Sequence, residues 1–199
     1  MPTGVALREV REQLFNAAER VLLRDGPSAL TSRAVTTEAG CAKGVLHRHF
    51  ADFDGFLAEL VLDRIDRLDG QAAALHESAG TGTVTGNLTG TLVRLFESVA
   101  IAIVALVTSR DDLRARLRQA RPDDGVPLLT EATAMIARYL TAERELGRIA
   151  ARAEVDTLAP TVVGAVHLPF ADRTGTPPTT EAVHKVVRTV LAGALPGQD

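Results

Sequence analysis

The stretch LTSRAVTTEAGCAKGVLHRHF, Leu30 to Phe50, decides how the rest of the chain is read. Thr31 offers a hydroxyl suited to capping a helix, Val35 and Ala39 fall one helical turn apart, and Gly40 supplies the backbone freedom of a tight turn. A short helix is therefore expected from Thr31 through Glu38. Thr36 and Thr37 are mediocre helix formers, so tertiary packing has to hold it. Ala42 to Phe50 reads as the next helix, with Val45, Leu46 and Phe50 turned to a core and Lys43, Gly44, His47 and Arg48 pointing elsewhere. Two short helices joined by a glycine turn form a helix-turn-helix, in which the side chains just after the turn are the ones offered to base edges in a major groove.

The flanking segments continue the helical pattern. Val10, Leu14, Ala17, Ala18, Val21 and Leu22 make an amphipathic helix that stops at Asp25-Gly26-Pro27. Asp52 or Asp54 caps a longer helix carrying Phe56, Leu57, Leu60, Val61, Ile65 and Leu68 on one side. Gly70 to Gly90 is rich in Gly, Thr, Ala and Ser, and residues 78 to 86 within it are expected to form a loop between head and body. Gly80-Thr81-Gly82-Thr83-Val84-Thr85-Gly86 lacks both a preceding strand and a following lysine, so it reads as a flexible connector and not as a phosphate cradle. Leu92 to Val107 is apolar almost all round, as expected of one helix buried in a bundle. Arg110 to Arg118 is short and charged. Val126 to Leu146, with Leu129, Thr133, Ile136 and Leu140 in phase, reads as a helix, as do the Val155, Leu158, Val162, Val166 and Val183, Val186, Val187, Val190, Leu191 stripes. The expected fold class is all-α: a helix-turn-helix head over residues 1–51 and a helical bundle over 52–199.

Composition narrows the function. With 199 residues, 46% hydrophobic and 24% charged, the chain is of globular type and long enough to bury a substantial core. A net charge of -3 excludes coating of nucleic acid through bulk basicity, while leaving room for a local reader. Only Lys43 and Lys185 of the 22 basic residues are lysines. No apolar run reaches the length of a membrane span, the N-terminus lacks the apolar core of a secretory signal, and Cys41 has no second cysteine to pair with, which together place the expected location in the cytoplasm.

Leu30 to Phe50 resembles the DNA-binding signature of TetR (tetracycline-repressor-like) transcriptional regulators, without a gap, at Thr31, Arg33, the Ala39-Gly40 turn, Lys43-Gly44, Leu46 and His49-Phe50. The resemblance implies that Arg33 reaches a base edge, that Thr31 meets a phosphate, and that Lys43, His47, Arg48 and His49 lie at the DNA, with Gly44 letting the backbone approach. It also implies a homodimer built on the helices around Val155 to Phe170 and Thr180 to Leu195, and a small-molecule effector bound in the body. Phe96, Ile103, Met135, Tyr139, His167 and Phe170 are the candidate pocket residues, an apolar set with a few polar groups, although core packing explains the same residues at least as well.

The chain departs from the family pattern in four places. Phe53 stands where relatives carry a lysine, Ala42 where they carry Ser or Thr, and Ala34 where they carry an acid; His47 occupies the slot of a phosphate-binding Tyr. Fewer phosphate contacts follow, and a salt slope on the order of 3 to 6 for a dimer is expected. His47 and His49 diverge on a helix, no catalytic constellation can be assembled, and neither a metal nor a cofactor nor an enzymatic activity is expected. The reading is thus a DNA-binding regulator, a repressor released from a palindromic operator by its ligand. The alternative is a helical ligand-binding or scaffold protein whose head has lost DNA binding.

Overall fold

The computed structural model describes residues 4–122, 125–172 and 176–196, and side chains from residue 8 onward. Among these residues there are ten α-helices and no strand, which makes the fold all-α. The chain divides into two compact units, 1–64 with 102–126, and 65–101 with 127–199.

In the first unit, α1 (Gly4–Asp25) buries Leu14, Phe15, Ala17, Ala18, Val21 and Leu22. Packed on it are α2 (Ser32–Glu38) and α3 (Gly44–His49). Thr31 caps α2 through its hydroxyl oxygen, which accepts from the Ala34 amide at 3.1 Å. The far end closes in a Schellman turn: Gly40 N–H donates to Thr37 C=O at 3.1 Å, Cys41 N–H donates to Thr36 C=O at 3.0 Å, and Gly40 takes φ +66°. Thr36 is buried, and its hydroxyl donates back to Ser32 C=O at 2.9 Å, so packing does hold this helix of modest propensity. The helix α4 (Phe53–Glu77) starts on an Asp52 cap, whose carboxylate accepts from the Gly55 amide at 2.7 Å. The same unit contains α7 (Asp111–Ala120), which buries Leu113 and Leu117.

The second unit contains α5 (Val84–Phe96), α8 (Leu129–Glu145), α9 (Val155–Ala171) and α10 (Thr180–Leu191). Helix α9 packs against α5, α8 and α10, and α10 also packs on α5. Their buried stripes are Leu88, Leu92, Leu95 and Phe96; Ala132, Met135, Ile136, Tyr139 and Leu140; Val155, Ala159, Val162 and Val166; Val183, Val187 and Leu191.

Two expectations are corrected. The loop expected over residues 78–86 is shorter than that: α4 runs through Gly70 to Glu77, and α5 starts at Val84 and takes in Gly86 and Gly90. Only residues 78–83 form a turn, which lies inside the second unit and is not a connector between head and body. Nor is that turn loose. Arg148 donates to Gly82 C=O at 2.7 Å, and Asn87 Nδ2 donates to Thr81 C=O at 2.9 Å. Secondly, Leu92 to Val107 is two helices, because α5 ends at Phe96 and α6 (Ala100–Thr108) starts after a break. Ser98 supports that break by donating its hydroxyl to Leu95 C=O and accepting from the Ala100 amide at 3.2 Å. No single helix among the described residues is long and apolar enough to cross a membrane.

Candidate nucleic-acid interface and body cluster

The head is built on an aromatic core. Phe15, Phe50 and Phe56 meet with ring centroids 4.9 to 5.7 Å apart. Arg11 stands over Phe50 at 4.4 Å, donates to His49 C=O at 3.2 Å and pairs with Glu59, so the C-terminal end of α3 is tied to both α1 and α4. Leu46 is fully buried in this core, while Val45 is half-buried.

Most head arginines are matched with acids. Arg20 and Arg24 both hold Glu38 at 2.7 and 2.8 Å, Arg64 holds Glu19 and Asp63, Arg110 holds Asp54 at 2.9 Å, and Arg116 holds Asp52 at 2.6 Å. The hydrogen bond from Arg20, and then that from Arg24, keeps the Glu38 carboxyl below the usual glutamate range. For Asp52 the Gly55 amide and then Arg116 act in the same direction.

Arg33, Lys43 and Arg48 differ from these. They are exposed, and among the described residues they enter no hydrogen bond or ion pair. His47 beside them is also exposed, and His49 is half-buried. Thr31 is exposed too, its oxygen already committed to the cap but its hydroxyl proton available. Gly44 begins α3 with helical backbone, and a Cβ built on it meets nothing within 4 Å. The fold therefore imposes no glycine there. Cations without acidic partners next to a glycine the fold does not require are what close approach to a polyanion needs.

The sequence of residues 14–60 matches a family described as bacterial regulatory proteins, tetR family. This segment is thus similar in sequence to the DNA-binding part of that family. No curated protein matches the chain. Among solved structures, a TetR-family transcriptional regulator from Agrobacterium tumefaciens aligns with TM-score 0.71 at 12% identity, over 95% of this chain and 99% of that one. FadR from Bacillus subtilis, solved with stearoyl-CoA, aligns with TM-score 0.66 at 16% identity, over 92% and 98%. A gamma-butyrolactone receptor (ArpA-like protein) aligns with TM-score 0.60 at 19% identity, over 96% and 90%. Over 92–96% of its length the chain shares the fold of these structures.

Of the six candidate pocket residues, the structure gathers three. Phe96 meets His167 edge-on at 5.6 Å and Phe170 at 5.8 Å, joining α5 to α9. His167 is half-buried, burial lowers its pKa, and its ring enters no hydrogen bond among the described residues. Ile103 lies on α6, among the residues of the first unit. Met135 is buried on α8. Tyr139 has a different role from the one expected: its hydroxyl accepts from Asn87 at 3.0 Å and bonds Glu143, and burial, then Glu143, pushes the phenol well above its usual range. Glu143 is fully buried, with Arg148 Nε at 3.3 Å and the Gly80 amide at 3.4 Å. This polar cluster was not foreseen because its partners are distant in sequence, Gly80 and Glu143 lying 63 residues apart. Arg110 and Arg116, which brace the residues just after α3, were missed for the same reason.

Proposed function

We propose that the chain is a homodimeric transcriptional regulator of double-stranded DNA. Each head would enter a major groove with α3, Arg33 and Lys43 reading base edges and Thr31, His47, Arg48 and His49 fixing register on the backbone around Gly44. The observation that carries the reading is a contrast within the head: Arg33, Lys43 and Arg48 stand exposed and, among the described residues, unmatched, while Arg20, Arg24 and Arg110 are paired with carboxylates. Phe53, the departure that bore on DNA affinity, is accommodated in the head, stacked on Phe56 at 5.8 Å and under Arg110 at 5.7 Å.

The second unit is proposed to bind a small-molecule effector and to pair with a second copy. The Phe96–His167–Phe170 cluster supports the first role, because a neutral imidazole beside two phenyl rings offers one hydrogen bond in an apolar setting. Relatives of the same fold solved with stearoyl-CoA or named as a butyrolactone receptor support it as well. For pairing, α9 leaves Thr157, Thr161, Gly164 and Leu168 exposed at helical spacing, with Leu168 73% exposed, and α10 leaves Ala182 and Thr189 exposed with Val186 and Val190 half-buried. Small residues of this kind let helices approach closely. An effector that binds two arrangements of α4 unequally would shift the heads and release an operator, making the protein a repressor that works in the cytoplasm.

The test is binding of DNA flanking the protein's own gene, followed by fluorescence anisotropy. Arg33→Ala and Lys43→Ala are each expected to weaken operator binding by about 1–3 kcal/mol, roughly 5- to 150-fold. Equal binding by wild type and both variants would contradict base reading and favour the scaffold alternative.

A further inference from the structure

One more cation of the first unit stands just beyond the end of α3, and it comes from far along the chain. Arg116 lies on α7, yet its Nη2 donates to Asp52 Oδ2 at 2.6 Å, two residues beyond Phe50, which caps α3. Its side chain stays 43% exposed. That bond engages one of the five N–H groups a guanidinium carries, and Arg116 makes no other hydrogen bond among the described residues. Gly55 lies against the pair: a Cβ at that position would be in ordinary contact with Arg116 Nη1 at 3.5 Å and close to Asp52 Oδ1 at 3.3 Å. A second tie, Arg110 on Asp54 and over the Phe53 ring, keeps the start of α7 against the start of α4. An arginine already held by a carboxylate has fewer side-chain conformations to lose when it meets a second anion. Arg118, only two residues on, lies about 200° around the same helix and is exposed without a partner among the described residues.

We infer that Arg116, aimed by Asp52, is a DNA-backbone contact of the head, supplied by a helix outside the helix-turn-helix. The inference rests on the proposed DNA-binding reading. Its test uses the full-length protein and a random-sequence 30-base-pair duplex, so that no operator has to be known. The readout is the slope of log affinity against log salt. Arg116→Gln is expected to lower that slope by about 0.9 for each protomer bound, Arg116→Lys to keep it, and Arg118→Gln to leave it unchanged. Equal slopes for Arg116→Gln and Arg118→Gln would overturn the inference. Arg48→Gln, at a position proposed for the DNA backbone, keeps this outcome separate from failure of the underlying reading: if it too leaves the slope untouched, the proposed docking of the head on DNA fails.

Discussion

Gly44 gives the sharpest separation between what folding needs and what DNA binding needs. Its backbone is helical and the space around its α-carbon is open, so Gly44→Ala is predicted to raise stability by about 0.5–1 kcal/mol, roughly 2–4 °C in Tm per kcal/mol. The same substitution is predicted to weaken duplex binding at least about tenfold by holding the backbone off the bases. Melting and anisotropy on one preparation check both halves. Gly40 is the opposite case, since its φ of +66° is demanded by the turn itself. Residues whose work is local were legible in the sequence: the Thr31 and Asp52 caps and the Gly40 turn all act within five positions of their partners. Tyr139 was not, because the groups that give its hydroxyl a partner include Asn87, 52 positions earlier.

Among the helices, α2, α3 and α4 follow their apolar periods closely, whereas the Gly and Thr tract was misjudged. Glycine disfavours a helix by about 1 kcal/mol, but α4 and α5 continue through Gly70, Gly86 and Gly90 because their other faces are buried. Gly86 even has a positive role: a Cβ there would fall 2.7 Å from the Thr83 oxygen that caps α5. The 78–83 turn is fixed by Asn87, Arg148 and buried Glu143, contacts that no window of local sequence displays. Glu143→Ala is therefore predicted to destabilise the protein strongly. Loss of one partner of a buried ion pair costs about 3–5 kcal/mol, and the lower end applies because the Arg148 side chain keeps 27% exposure. Urea unfolding of wild type and variant measures it; a change under about 1 kcal/mol would show that the cluster does not hold the turn.

For the whole molecule, the proposed arrangement is two copies related by a two-fold axis, each offering one α3, a reading supported by the helix-turn-helix head, the shared fold and the exposed faces on α9 and α10. Such symmetry has to be mirrored in the DNA. Selection of bound duplexes from a randomised library tests this most directly. The account predicts enrichment of an inverted repeat whose half-site centres lie about 34–36 Å apart or a multiple of that distance, and loss of the enrichment in an Arg33→Ala, Lys43→Ala double variant. A library that emerges unenriched, or enriched equally by wild type and double variant, would contradict it.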